Sequence, residues 1–239
     1  MKTKNLLWSA LMGLFLIPTF SMAASLTITL GEGGLSAIIP DNVATGISRS
    51  VSISGYSNQA PYTLSLNFAI EGTGFGAING DYYSHLQHTS VDGVITQMAV
   101  LLNRVGVRAD SSYGYLDNGM VVTLQDQAAA DIHNYRLELY GSNSTPVPGA
   151  LTGTWQPDGR NIDPYTVTGD SMRTTSLDTL GLMDPNGIWT IFFADLQAGG
   201  TGKLSSWFLD LLPIPEPSTG SILVMSGVIW LANRRRRRP

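Results

Sequence analysis

The chain has 239 residues, no cysteine, and charged side chains at only 13% of positions. Without cysteine it has no disulfides, no thiolate nucleophile and no cysteine-based metal centre. Residues 24–215 carry seven basic residues against seventeen acidic ones, a formal balance of −10, and a domain this acidic lacks the basic face that a nucleic-acid partner requires.

Residues 1–23 read as a secretory signal peptide. Lys2 and Lys4 precede an apolar run from Leu6 to Phe20, and Ser21, Ala23 and Ala24 supply a small-residue exit. A charged start, an apolar middle and a small-x-small end form the export pattern, with cleavage placed after Ala23. The chain is therefore expected outside the cytosol.

Residues 24–212 read as one all-β domain. Apolar and polar residues alternate in SLTITL (25–30), YTLSLNFAI (62–70), MVVTL (120–124), YRLELY (135–140), WTIFFA (189–194) and SWFLDLL (206–212), as half-buried strands require. Turn sequences separate them: GEGG, GTGFG, NGD, DNG, PDG, DPNG and AGGTG. A single short helix is expected at DQAAADI (126–132). Short strands with frequent turns predict an antiparallel sandwich or barrel. Trp189 and Trp207 are expected to fill its core from neighbouring strands joined by QAGGTGK.

Catalytic chemistry finds little support. His85 and His88 stand three residues apart, so on a strand they point to opposite faces; with His133 they read as loop or surface residues. No G-x-S-x-G elbow occurs. GTGFGA (72–77) follows a strand but precedes no helix, so it reads as a hairpin turn and not a dinucleotide loop. The chain thus reads as a non-enzyme that needs no cofactor.

Two binding chemistries remain. Asp41, Asp81, Asp92, Asp110, Asp117, Asp126, Asp131, Asp158 and Asp163 are natural turn residues. Calcium takes several oxygen ligands from loops, so a calcium ion at one rim of the sandwich is a hypothesis that these acids and the −10 balance motivate. Trp155, beside Pro157, is expected in an exposed loop, where its ring could stack on a sugar together with the tyrosines Tyr82, Tyr83, Tyr113 and Tyr115.

The order of motifs is also informative. IPDN (39–42), NGDYYSHL (79–86), VLLNRVG (100–106), DNGMVVTLQDQAA (117–129), LTGTWQPDG (151–159) and NGIWTIFFADLQAGGTGKLSSWFLDL (186–211) follow one another. In the last of these stand Gly187, Trp189, Asp195, Gly202, Leu204, Trp207 and Leu209. The series resembles the P-domain that follows the catalytic domain of kexin and furin-like proprotein convertases, over residues 26 to 212. The resemblance implies a jelly-roll β-sandwich of about eight strands. Residues 85–99 depart from the pattern, and no subtilisin-like protease is expected in this chain.

The C-terminal segment has three parts. Pro213, Pro215 and Pro217 hold residues 213–219 extended. A 13-residue apolar run, Gly220 to Ala232, lies within a hydrophobic segment at 220–233; as a helix the run spans ~20 Å against a ~30 Å hydrocarbon core. Arg234, Arg235, Arg236, Arg237 and Arg238 follow in the tail at 234–239, a cluster that the positive-inside rule holds on the cytoplasmic side. With Pro215, Glu216 and Pro217 at its head, the segment resembles the PEP-CTERM sorting signal. That resemblance implies a transient stop in the inner membrane, cleavage near Pro-Glu-Pro by exosortase, a multi-pass membrane cysteine protease, and delivery to the surface or matrix of a Gram-negative cell. The expected function is an exported surface or matrix protein whose P-domain-like module binds or packs in the envelope or exopolysaccharide. The alternatives are a carbohydrate-binding module and a P-domain acting in trans on a subtilisin-like protease.

Overall fold

The computed structural model describes residues 27–56, 61–73 and 76–214. The signal peptide, Pro215, Glu216, Pro217, the apolar run and Arg234 to Arg238 lie outside them. Among the described residues no helix is long and apolar enough to cross a membrane.

Among the described residues ten strands form two sheets. In chain order they are β1 (Ile28–Glu32), β2 (Ala37–Ile39), β3 (Val43–Ile53), β4 (Tyr62–Thr73), β5 (Tyr82–Ser90), β6 (Thr96–Asn103), β7 (Met120–Leu124), β8 (Leu151–Trp155), β9 (Gly187–Asp195) and β10 (Thr201–Pro213). One sheet has the order β1-β10-β4-β7-β8, with β2 also pairing β10; the other has the order β3-β9-β5-β6. All pairs are antiparallel except β7 with β8.

Alternation along the strands makes the core. Leu64, Leu66, Phe68 and Ile70 of β4 face Trp189, Ile191 and Phe193 of β9, and all are buried. Phe68 and Phe193 meet across the two sheets, edge to face, at 5.3 Å between ring centroids. Burying one such side chain contributes about 1.5–3 kcal/mol. Trp189 and Trp207 are fully buried, as expected, but not on neighbouring strands: β9 and β10 belong to opposite sheets. The QAGGTGK segment is therefore a crossover between layers, not a hairpin. Two glycines make close approaches possible. A Cβ at Gly187 would stand 2.2 Å from the Thr89 carbonyl oxygen, and one at Gly202 would stand 2.1 Å from the Tyr82 hydroxyl.

Several local expectations change. YRLELY is a helix, α1 (Tyr135–Tyr140), and not a strand. A 3-10 turn at Ile132–Asn134 starts it, with His133 N–H donating to the Asp131 side chain, and Gly141 at φ 66° ends it. DQAAADI forms turns and bends, not a helix. The second helix, α2 (Leu177–Leu180), is capped by Ser176, whose side chain accepts from Thr179 N–H. β2, β3, β5, β6 and β8 are additional strands. The hydrophobic turn of β5 into β6 gives residues 85–99 an ordinary antiparallel register.

Candidate functional site

The residues proposed for sugar stacking do not converge. Trp155 ends β8 and is 4% exposed; its indole N–H donates to Thr152 O and its ring lies edge to face with Tyr135. Tyr82 is fully buried in the core. Tyr83, the next residue on β5, points the other way and lies half-buried against His85 and Phe192 on the outer face of its sheet. Burial of Trp155 and Tyr82 corrects the expectation of an exposed aromatic platform.

His88 and His133 are buried and not loop or surface groups, while His85 lies half-buried on the outer face of β5. His85 and His88 do point to opposite faces of β5, His85 stacking on Phe192 and His88 lying tilted against Trp189. Burial pushes both below the usual imidazole range. His133 is fully buried, with Nδ1 2.7 Å from Asp158 Oδ2 and Nε2 3.0 Å from Val107 O. Both ring nitrogens thus face acceptors, and no hydroxyl nucleophile bonds to the ring. Asp158 also accepts from Asn103 N–H and from Arg160, which reaches on to Asp131 at 2.7 Å. This network ties the 156–175 segment to the edge of β6, where Gly159 and Asp158 N–H donate to Val100 O and Leu101 O.

A second buried network holds α1. Arg136 grips Asp117 with two bonds, Nε at 2.7 Å and Nη2 at 2.8 Å. Tyr135 O–H and Val147 N–H donate to the same carboxylate. Burial alone would raise the Asp117 carboxyl, but Arg136, Tyr135 and Val147 together hold it below its ordinary value. Tyr135 Oη accepts from Asn79, which opens the 3-10 turn Asn79–Asp81.

That turn leads to the most unusual group in the domain. Tyr82, the first residue of β5, is the register partner of Asp195, the last residue of β9. Asp81 and Asp195 therefore sit side by side where two neighbouring strands meet the sandwich rim. Leu196 N–H donates to Asp81 O at 2.9 Å and locks the two backbones together. Asp195 Oδ1 accepts from Gln197 N–H at 3.1 Å, and Asp41, exposed on the connection from β2 to β3, accepts from Gly199 N–H at 3.1 Å. Asp81 is 3% exposed and Asp195 not at all. Among the described residues Asp81 Oδ2 and Asp195 Oδ2 have no hydrogen-bond partner.

The electrostatics follow from that placement. Burial, reinforced by the Asp195 and Asp41 charges, pushes the Asp81 carboxyl up to about 7. Burial and Asp41 push Asp195 up to about 6, against backbone N–H donors that favour its anion. Arg104 is the nearest cation and lowers both. Its guanidinium is spent elsewhere: Nε donates to Gly80 O at 3.3 Å and Nη2 to Ser112 O at 2.9 Å. Arg104 also occupies φ 50°, a left-handed backbone rare for a non-glycine residue. The sequence marked Asp41 and Asp81 as turn acids and Asp195 only as one of the motif residues of the closing segment. The strand register alone brings Asp81 and Asp195 together.

No protein-family model matches the chain, and no curated protein matches it. Among solved structures, the crystal structure of the serine protease of Aeromonas sobria is similar at 14% identity and a TM-score of 0.35, over 79% of this chain and 26% of that one. A structure of the Aeromonas sobria serine protease in complex with its chaperone is similar at 14% identity and a TM-score of 0.33, over 80% of this chain and 27% of that one. The chain spans about a quarter of the length of each.

Proposed function

We propose that this chain is an exported surface or matrix protein carrying a PEP-CTERM signal, sorted and cut by exosortase, whose P-domain-like jelly roll binds or packs in the envelope or exopolysaccharide and does no catalysis. The tripartite C-terminal sequence motivates the sorting half. One structural observation supports it: β1 and β10 lie side by side with Ile28 opposite Leu211. The leader and the sorting segment therefore join the domain at the same end of one sheet. A domain tethered there keeps its opposite rim free while processing takes place. The closed His133–Asp158 pair, with no solvent exposure, favours a binding or packing role over an enzymatic one.

The test is the intact mass and location of the protein in its native host. Cleavage predicts a mass lacking residues 1–23 and the segment beyond Pro-Glu-Pro. Glu216→Ala is expected to leave the full C-terminus in place and hold the protein in the inner-membrane fraction. If wild type and Glu216→Ala have the same mass and the same location, the sorting reading fails.

A further inference from the structure

We propose that the Asp81–Asp195 pair binds a calcium ion at the rim formed by the 3-10 turn, the end of β9 and the 196–200 crossover. The inference is independent of sorting. It rests on three features of the rim.

The first is geometry. Two acids from chain-distant segments are held on neighbouring backbones by the β5–β9 register and the Leu196–Asp81 backbone bond, close enough for the Asp195 charge to act on Asp81. The second is unmet bonding. Asp81 Oδ2 and Asp195 Oδ2 are buried acceptors without a donor among the described residues, and a buried carboxylate oxygen left unpaired costs free energy. The donors nearby leave these two oxygens unmet: Arg104 bonds to backbone carbonyls, the Gln197 N–H takes the other oxygen of Asp195, and the Asn42 N–H, which also favours the Asp195 anion, does not reach hydrogen-bond geometry with Oδ2. The third is charge. Asp41 stands exposed near the pair, anchored through Gly199 to the crossover, and adds negative charge to the rim.

The chemistry selects the ion. Zinc wants three or four nitrogen, sulfur or carboxylate ligands in a tetrahedron, and among the described residues no group of three His, Asp or Glu side chains is placed to hold a metal. Calcium accepts six to eight oxygens and fills its shell with backbone carbonyls and water. Two buried carboxylates, with the rest of the shell left to backbone carbonyls and water, fit that style and not the zinc tetrahedron. Few ligand charges imply a modest affinity, ~10⁻⁴–10⁻³ M, the range of extracellular modules.

The alternative that the same atoms allow is a proton shared between the two acids, and the experiment separates it. The full chain in a non-ionic detergent is melted at pH 8 in chelator and in 10 mM calcium chloride, alongside Asp81→Asn, Asp195→Asn and Asp92→Asn. Asp92 lies in the exposed turn between β5 and β6 and controls for general charge. Calcium is expected to raise the wild-type and Asp92→Asn melting points by several degrees and to leave the two rim variants unmoved. In chelator Asp81→Asn is expected to melt at or above the wild type, since it relieves repulsion. Terbium luminescence excited through tyrosine, with Tyr82 adjoining the pair, is expected in the wild type and lost in both rim variants. The proposal is overturned if calcium leaves the wild type unmoved, if the rise persists in both rim variants, or if Asp81→Asn melts below the wild type in chelator.

Discussion

A buried carboxylate is unremarkable when paired, and this chain shows both cases. Asp117 and Asp158 are saturated by donors, whereas Asp81 and Asp195 each keep one bare oxygen. The difference predicts a sign. An unfolded aspartate releases its proton at about 3.9, while folded Asp81 holds it up to about 7. The fold binds more protons than the unfolded chain across that window, so stability is full below about 4 and is lost as pH rises through about 7. In chelator, the wild type is expected to lose on the order of 2–4 kcal/mol between pH 4 and pH 8 relative to Asp81→Asn. Urea unfolding of both proteins at each pH measures it. His85 and His88 push the other way below about 6.5, but they are common to both proteins and cancel in the difference. A flat difference across the range would remove the strained carboxyl. Little of this was legible in the sequence. Asp41 and Asp81 read equally well as turn residues, Asp195 stood only as a motif residue inside a predicted strand's end, and only the register of two strands far apart in the chain makes Asp81 and Asp195 neighbours.

Strands were legible where a strong alternation ran into turn residues. β7 coincides with MVVTL, and β4 begins at the predicted Tyr62. YRLELY failed because its alternation of Leu137 and Leu139 with charged residues reports no burial: both leucines are exposed, and only Tyr135 enters the core. What makes the segment helical is at its ends, the Asp131 cap and the left-handed Gly141, together with the Asp117–Arg136 grip. Trp155 was misplaced for a related reason. Its neighbours Pro157 and Gly159 look like a loop, yet β8 pairs in parallel with β7 and carries the ring inward against Tyr135. The ring thus fastens β8 to α1. Trp155→Ala is expected to destabilise the domain by about 3–5 kcal/mol, read by urea unfolding. A glycan pull-down with a folded, conservatively substituted Trp155→Phe variant is expected to match the wild type. Loss of glycan retention in that variant would return the ring to a ligand site.

At the scale of the molecule, the order of the strands decides where the chain tolerates a cut. β10 lies between β1 and β4, and its inward residues Leu204, Trp207, Leu209 and Leu211 are all at most 1% exposed. The last described contact is Ile214 N–H donating to Pro61 O. Every core residue of the final strand therefore precedes Pro215. At about 3.3 Å per residue, β10 spans about 40 Å from Thr201 at the acidic rim to Pro213 at the opposite end. The proposed cation site and the proposed cleavage site thus stand at opposite ends of one strand, so trimming at Pro-Glu-Pro has no route to disturb the rim. A chain ending at Ile214 is expected to melt within about a degree of the full-length protein and to keep its calcium response. A chain ending at Ser206 loses Trp207, Leu209 and Leu211 and strips β1 of its partner. Burial worth about 1.5–3 kcal/mol per large side chain goes with them, against a total stability of only about 5–15 kcal/mol. That shorter chain is expected not to fold, as circular dichroism would show directly. A cooperative melt from the Ser206 truncation would mean that β10 is dispensable. A large drop for the Ile214 truncation would mean instead that residues past the last strand help hold the sandwich, and that cleavage there could not release an intact domain.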